Sequence, residues 1–212
     1  MDEVAKQIVS AFDEMYPNAH CELEHRNHFE LLVAVMLSAQ TTDKSVNKVT
    51  KSLFEKYKTP QDFAKASLEE IEQAIKQLGL YKNKAKNLKK MSQMLIDDFN
   101  VQVPEKHVDL VKLPGVGRKT ANVVLSVAFN EPAFAVDTHV ERVSKRLNIA
   151  AKDDSVLTVE KKLNAFFPKA LWNKLHHQMI FFGRYHCLSR KPNCHKCPLK
   201  MICRYYKENE NK

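Results

Sequence analysis

Four of the five cysteines fall within 17 residues, as Cys187, Cys194, Cys197 and Cys203, in the pattern C-x6-C-x2-C-x5-C. The chain starts MDEVAKQIVSAF, with two acids in its first three residues and no apolar signal core. That start predicts a cytosolic protein, whose thiols stay reduced and are metal ligands rather than disulfides. Zinc is one reading, but all-cysteine zinc sites usually come as two well-separated C-x2-C pairs. One C-x2-C flanked by two single cysteines better suits wrapping a single iron–sulfur cubane. The fifth cysteine, Cys21, stands apart and reads as a small buried hydrophobe.

A second chemical group lies in segment 108–129, VDLVKLPGVGRKTANVVLSVAF. A short apolar helix meets Gly115-Val116-Gly117, and a longer helix follows with Ala121, Val124, Leu125 and Ala128 on its packed face. This is a helix–hairpin–helix. Glycines let backbone N–H groups approach a phosphate, and the next helix adds its positive N-terminus. Arg118 and Lys119 strengthen the phosphate reading over that of an ordinary turn. Lys119 lies away from the packed stripe, where a solvated lysine is the default. Val123 one turn on and the helix N-terminus would both favour its neutral amine, a nucleophile able to form a Schiff base with a sugar carbon. A phosphate-binding lysine is the alternative.

The third point is Asp137, at the mouth of a new helix in FAVDTHVERV. An N-cap is its plain role. Thr138 and Glu141, however, have capping-box spacing, which would leave the Asp137 carboxylate free to take a proton or steady a sugar cation. Sequence spacing does not say whether Asp137 and Lys119 meet.

The elements that must position these groups are helical. The chain has 212 residues and only four glycines, too few for the turns of an all-β fold. Val4, Ile8, Val9 and Phe12 form one stripe, and FELLVAVML (29–37) is apolar almost all round, as in a fully enclosed helix. Ser67 and Glu70 form a capping box, with Gly79 expected to stop the helix that follows. Segment 83–98 sets a lysine-rich face against Leu88, Met91 and Leu95. The best boundary falls at Asn130–Pro132. No run approaches the roughly 18 apolar residues of a membrane span. The net charge of +9 is concentrated. Residues 76–119 hold ten Lys and Arg against four Asp and Glu, residues 184–212 hold eight against two, and the rest is mildly acidic. Two basic blocks on an acidic body are a footprint for an extended polyanion.

LPGVGRKTA, then VDTHV, then the cysteine loop, in that order, closely resemble the endonuclease III family of helix–hairpin–helix DNA glycosylases, over essentially the whole chain. The resemblance implies an all-α, two-lobed fold. One lobe is a six-helix domain over 21–131 containing the helix–hairpin–helix (107–128). The other, from 1–20 and 132–212, is built around a [4Fe–4S] cluster with its loop at 187–203. DNA would lie across the groove between them. Lys119 would attack C1′ of a damaged nucleotide, with Asp137 assisting. Gln40 in LSAQTTD and Leu80 in LGLY would fill the gap left by a flipped-out base. Gly115, Val116, Gly117 and Arg118 would hold phosphate. The implied activity is excision of oxidised pyrimidines from damaged double-stranded DNA, followed by β-elimination at the abasic site. The protein is then expected to be a monomer in a bacterial-type cytoplasm, associated with the nucleoid and not with membranes. Two rivals are an adenine-specific mismatch relative and a non-catalytic iron–sulfur DNA-binding protein. The first usually lacks the lysine and carries a further C-terminal domain, so Lys119 and the nine residues after Cys203 speak against it.

Overall fold

The computed structural model describes residues 1–209. Among them no strand forms, and the chain is a succession of helices. These are α1 (Glu3–Met15), α2 (His28–Leu37), α3 (Asp43–Lys56), α4 (Pro60–Lys65), α5 (Leu68–Ile75), α6 (Tyr81–Asp98), α7 (His107–Leu110), α8 (Arg118–Ala128), α9 (Thr138–Arg146), α10 (Val156–Phe166), α11 (Trp172–Phe181) and α12 (Arg204–Asn209). No described helix is long and apolar enough to cross a membrane. The chain divides into two compact units, residues 21–130 and residues 1–20 with 131–212.

The 21–130 unit is built round α2. With apolar side chains on every face, α2 must be enclosed, and Phe29 through Leu37 are all buried. Each such Leu contributes about 1.5–3 kcal/mol by leaving water. Short-range chemistry sets where neighbouring helices start. Thr59 and Asp62 form a capping box behind Pro60, and Ser67 and Glu70 form the box that opens α5. The unit carries seven helical segments, α2–α8, two of them the short runs 60–65 and 107–110. Gly79 does not stop α5 in the expected way. The helix ends at Ile75, and the left-handed residue of the connection is Leu80, with φ 59°.

The second unit joins the two ends of the chain. α1 lies on α11, with the Phe12 and Phe182 rings 5.1 Å apart and Asp13 accepting from Gln178 Nε2 at 2.9 Å. The buried face of α1 is Ala5, Ile8, Ala11 and Phe12; Val4, expected on that stripe, is exposed. Val140, Val143, Leu163, Leu175 and Met179 continue this core, and Cys203 is part of it. The change of unit follows Asn130, which takes the left-handed conformation that asparagine tolerates better than most residues (φ 53°).

Candidate nucleic-acid interface and thiol site

The hairpin connects α7, a single turn, to α8, and its two glycines do different work. Gly115 has φ +82°, and a Cβ there would lie 3.0 Å from both Asn87 Cβ and Met36 Sδ. Its missing side chain is therefore required by the fold itself. Gly117 has an ordinary φ of −89°, is exposed, and has nothing within 4 Å of where a Cβ would sit. The protein does not need glycine there, so the open space is available to something outside it. Val116 is buried, and its N–H donates to the Leu113 carbonyl at 3.0 Å, which makes it the pin of the turn.

Arg118 and Lys119 are the first two residues of α8, and both are exposed. Val123, one turn beyond Lys119, is buried, as are Ala121, Val124 and Leu125. The amine thus stands in the first helical turn, among the backbone N–H groups that lack intrahelical partners.

Gln40 and Leu80 lie on two connections of the same unit. Both are exposed, Leu80 at 53%, and both are left-handed, with φ 53° and 59°. Neither is glycine or asparagine, so each conformation costs about 1 kcal/mol or more that the surroundings must offset. The connections are adjacent, since a Cβ on Gly79 would lie 3.8 Å from the Gln40 carbonyl oxygen.

Asp137 belongs to the other unit and is itself the N-cap of α9. Its Oδ1 accepts from His139 N and Val140 N, both at 2.8 Å. This corrects the expected capping by Thr138 and Glu141. Thr138 is already helical, and Glu141 pairs with Lys145 at 2.6 Å. The carboxylate is held by the cap through one oxygen, while Oδ2 takes no part in it. His139 packs against Gly183, where a Cβ would approach His139 Cβ to 2.8 Å. Burial lowers the His139 pKa, opposed by the Asp137 charge.

All four clustered cysteines line one small cavity, closed by Leu147, Phe182, Tyr205 and Tyr206. Cys194 begins one 3-10 turn and Cys197 follows it, while Cys203 follows another. Burial, reinforced by the other thiols, pushes Cys197 up to about 11 and raises Cys194 and Cys203. Such crowding is compatible with thiolates only if cationic metal neutralises them. Arg146 supplies some positive charge, donating to Cys187 Sγ at 3.2 Å and to the Leu188 carbonyl at 2.7 Å. Among the described residues no three His, Cys, Asp or Glu side chains converge closely enough to hold a single ion. Cys21 is half-buried rather than buried and lies in the other unit.

Sequence reading overlooked Arg146 and Lys84. Arg146 carries no signal in its spacing. Lys84 does, because it occupies the stripe position of Leu88, Met91 and Leu95, and it is 5% exposed.

Residues 33–169 match the family of HhH-GPD superfamily base excision DNA repair proteins. Endonuclease III of Bacillus subtilis (strain 168) is 58% identical over 210 residues, covering 98% of this chain and 96% of that protein. A non-covalent endonuclease III–DNA complex superimposes with TM-score 0.95 at 57% identity over all of both chains. A trapped endonuclease III–DNA covalent intermediate, an estranged-adenine complex, gives TM-score 0.93 at 60% identity, covering 97% of this chain and 98% of that one. The chain belongs to the endonuclease III family, within the HhH-GPD superfamily of base excision DNA repair proteins.

Proposed function

We infer that this chain is a bifunctional DNA glycosylase and abasic-site lyase that removes oxidised pyrimidines from double-stranded DNA. The carrying observation is Lys119, exposed in the first turn of α8, two residues after a glycine with open space beside it. Phosphate at the Gly117 N–H and the start of α8 would hold the backbone beside the amine, with Arg118 as counter-charge. Gly115 and Val116 shape and pin that turn. The Lys119 Nζ attacks C1′ through its lone pair and the C1′–base bond breaks, its electron pair leaving with the base. Asp137, through the oxygen outside the cap, steadies the developing sugar cation or takes the amine's proton. The C1′–O4′ bond then opens, O4′ taking a proton, and the resulting imine acidifies the C2′ hydrogen. Removal of that hydrogen expels the 3′ phosphate, and water hydrolyses the imine to free Lys119 and leave an unsaturated aldehyde on the nicked strand. Gln40 and Leu80 fill the gap left by the extruded nucleotide.

A [4Fe–4S] cluster fits the donor set, and Cys187, Cys194, Cys197 and Cys203, which line one cavity, would be its ligands. When bound, it supplies a fixed anchor for the basic C-terminal loop, which includes Arg190, Lys191 and Lys196. The same reading makes the protein a monomer acting on DNA in a bacterial cytoplasm.

Borohydride reduction on thymine-glycol duplex tests the chemistry. The expected result is a covalent protein–DNA adduct that Lys119→Ala and Lys119→Gln abolish, with the fold intact. A folded wild-type protein that yields no adduct would overturn the assignment of Lys119. Metal analysis should return about four iron and about four sulfide per chain. One zinc and no iron would overturn the cluster.

A further inference from the structure

Lys84 is a lysine in an apolar register. It is 5% exposed, its Nζ donates to Thr41 Oγ1 at 2.8 Å, and no carboxylate pairs with it among the described residues. Burying a cation without an opposite charge is expensive, and a leucine would continue the stripe of Leu88, Met91 and Leu95 at no such cost. Burial accordingly lowers its pKa. The position is informative because of what Lys84 touches at each end. Its backbone N–H donates to the Leu80 carbonyl at 3.0 Å. Its side chain reaches Thr41, the residue after Gln40. A single residue thus ties together the two connections that carry the exposed left-handed side chains. Three residues further along α6, Asn87 packs against Gly115 of the hairpin. Positions 80, 84 and 87 share one face of the helix.

We propose that Lys84 is a positioning residue that locks Gln40 and Leu80 at a fixed spacing, so that they enter the base gap as one wedge. This rests on the reading that these two side chains fill that gap. Without the Lys84–Thr41 bond, the Gln40 turn would have to find its strained backbone conformation afresh on binding, and lesion recognition would bear that ordering cost. Gripping of undamaged duplex, which needs no wedge, would be spared.

The test uses cluster-loaded protein and a duplex with a tetrahydrofuran abasic-site analogue opposite 2-aminopurine. Filling the gap unstacks the orphan base and raises its fluorescence. Lys84→Met and Thr41→Val should each cut the rise at saturation and weaken affinity for the analogue about tenfold. Undamaged duplex should bind as before. Thr41→Ser, which keeps the acceptor, should behave as wild type. The double variant should be no worse than the weaker single, since both remove the same bond. If Lys84→Met fails to fold, Thr41→Val carries the test from the partly exposed end. A wild-type fluorescence rise in Thr41→Val, or additive losses in the double variant, would overturn the proposal. Leu80→Ala and Gln40→Ala separate the two failures. If these lose the signal while Thr41→Val keeps it, the wedge stands and Lys84 has no part in it. If they keep it, the wedge reading falls and Lys84 falls with it.

Discussion

The hairpin of the 21–130 unit and the cysteine loop of the other unit solve opposite problems. At the hairpin the side chains proposed to act stand outside the fold: Lys119 and Arg118 are exposed, and the structural work is done beneath them by Gly115, Val116 and Asn87. In the cysteine loop the chemical groups are themselves packing groups. Cys203 is 8% exposed and belongs to the core, and the segments around Cys194 and Cys203 are 3-10 turns with no buried side chains of their own. The first region should therefore lose function without losing structure, and the second should lose both together.

The largest break in that comparison should come from the thiols. On the proposed cluster, Cys203→Ser should remove it and cost roughly 5 kcal/mol or more of stability, because metal binding at buried thiols would be part of folding. Trp172, the single tryptophan, sits in this unit and reports its unfolding by fluorescence. Lys119→Ala should shift the same midpoint by well under about 0.5 kcal/mol while abolishing the borohydride adduct. Equal losses of stability would erase the contrast.

The two glycines sharpen the comparison within the hairpin. Gly115→Ala should cost about 1–3 kcal/mol from its left-handed backbone and the contacts with Asn87 and Met36. Gly117→Ala should cost a few tenths of a kcal/mol at most. Its effect should appear in DNA affinity, where the new methyl occupies the phosphate's approach. Thermal denaturation beside binding titrations separates the two.

A pH effect belongs to the unit of the cysteine loop. Burial, helped by the charge of His20, holds His177 down from 6.5 to about 4. The folded state then binds the proton less readily than the unfolded chain. Stability is complete above about pH 6.5 and is lost as pH falls toward 4, by at most about 1.4 kcal/mol per pH unit. His177→Gln should flatten this acid limb as followed at Trp172. The smallest effect belongs to Arg118→Ala, which should make the salt dependence of DNA affinity shallower by about one in log–log slope. An unchanged slope would remove Arg118 from the phosphate contacts.

What proved legible in the sequence was local. The capping box at Ser67 involves residues three apart, and the enclosed run of α2 and the LPGVG turn carry their instructions in neighbouring positions. Where the competition was between local options, spacing misled. Thr138 and Glu141 have the pattern of a box, yet the helix begins at Thr138, so Asp137 holds the N-cap position and its carboxylate accepts from two N–H groups of the first turn. Gly79 looked like the stop, yet Leu80 adopts the left-handed conformation.

The sequence by itself determined a helical chain, the hairpin with its lysine, and a set of thiols suited to metal, because periodicity and short spacings act along the backbone. Only the tertiary structure decided which glycine serves the fold and which faces outward, that Cys203 is a core residue, and that Lys84 is buried beneath Thr41. Each of those facts depends on atoms brought together from distant parts of the chain, and burial is a property of that company rather than of the residue.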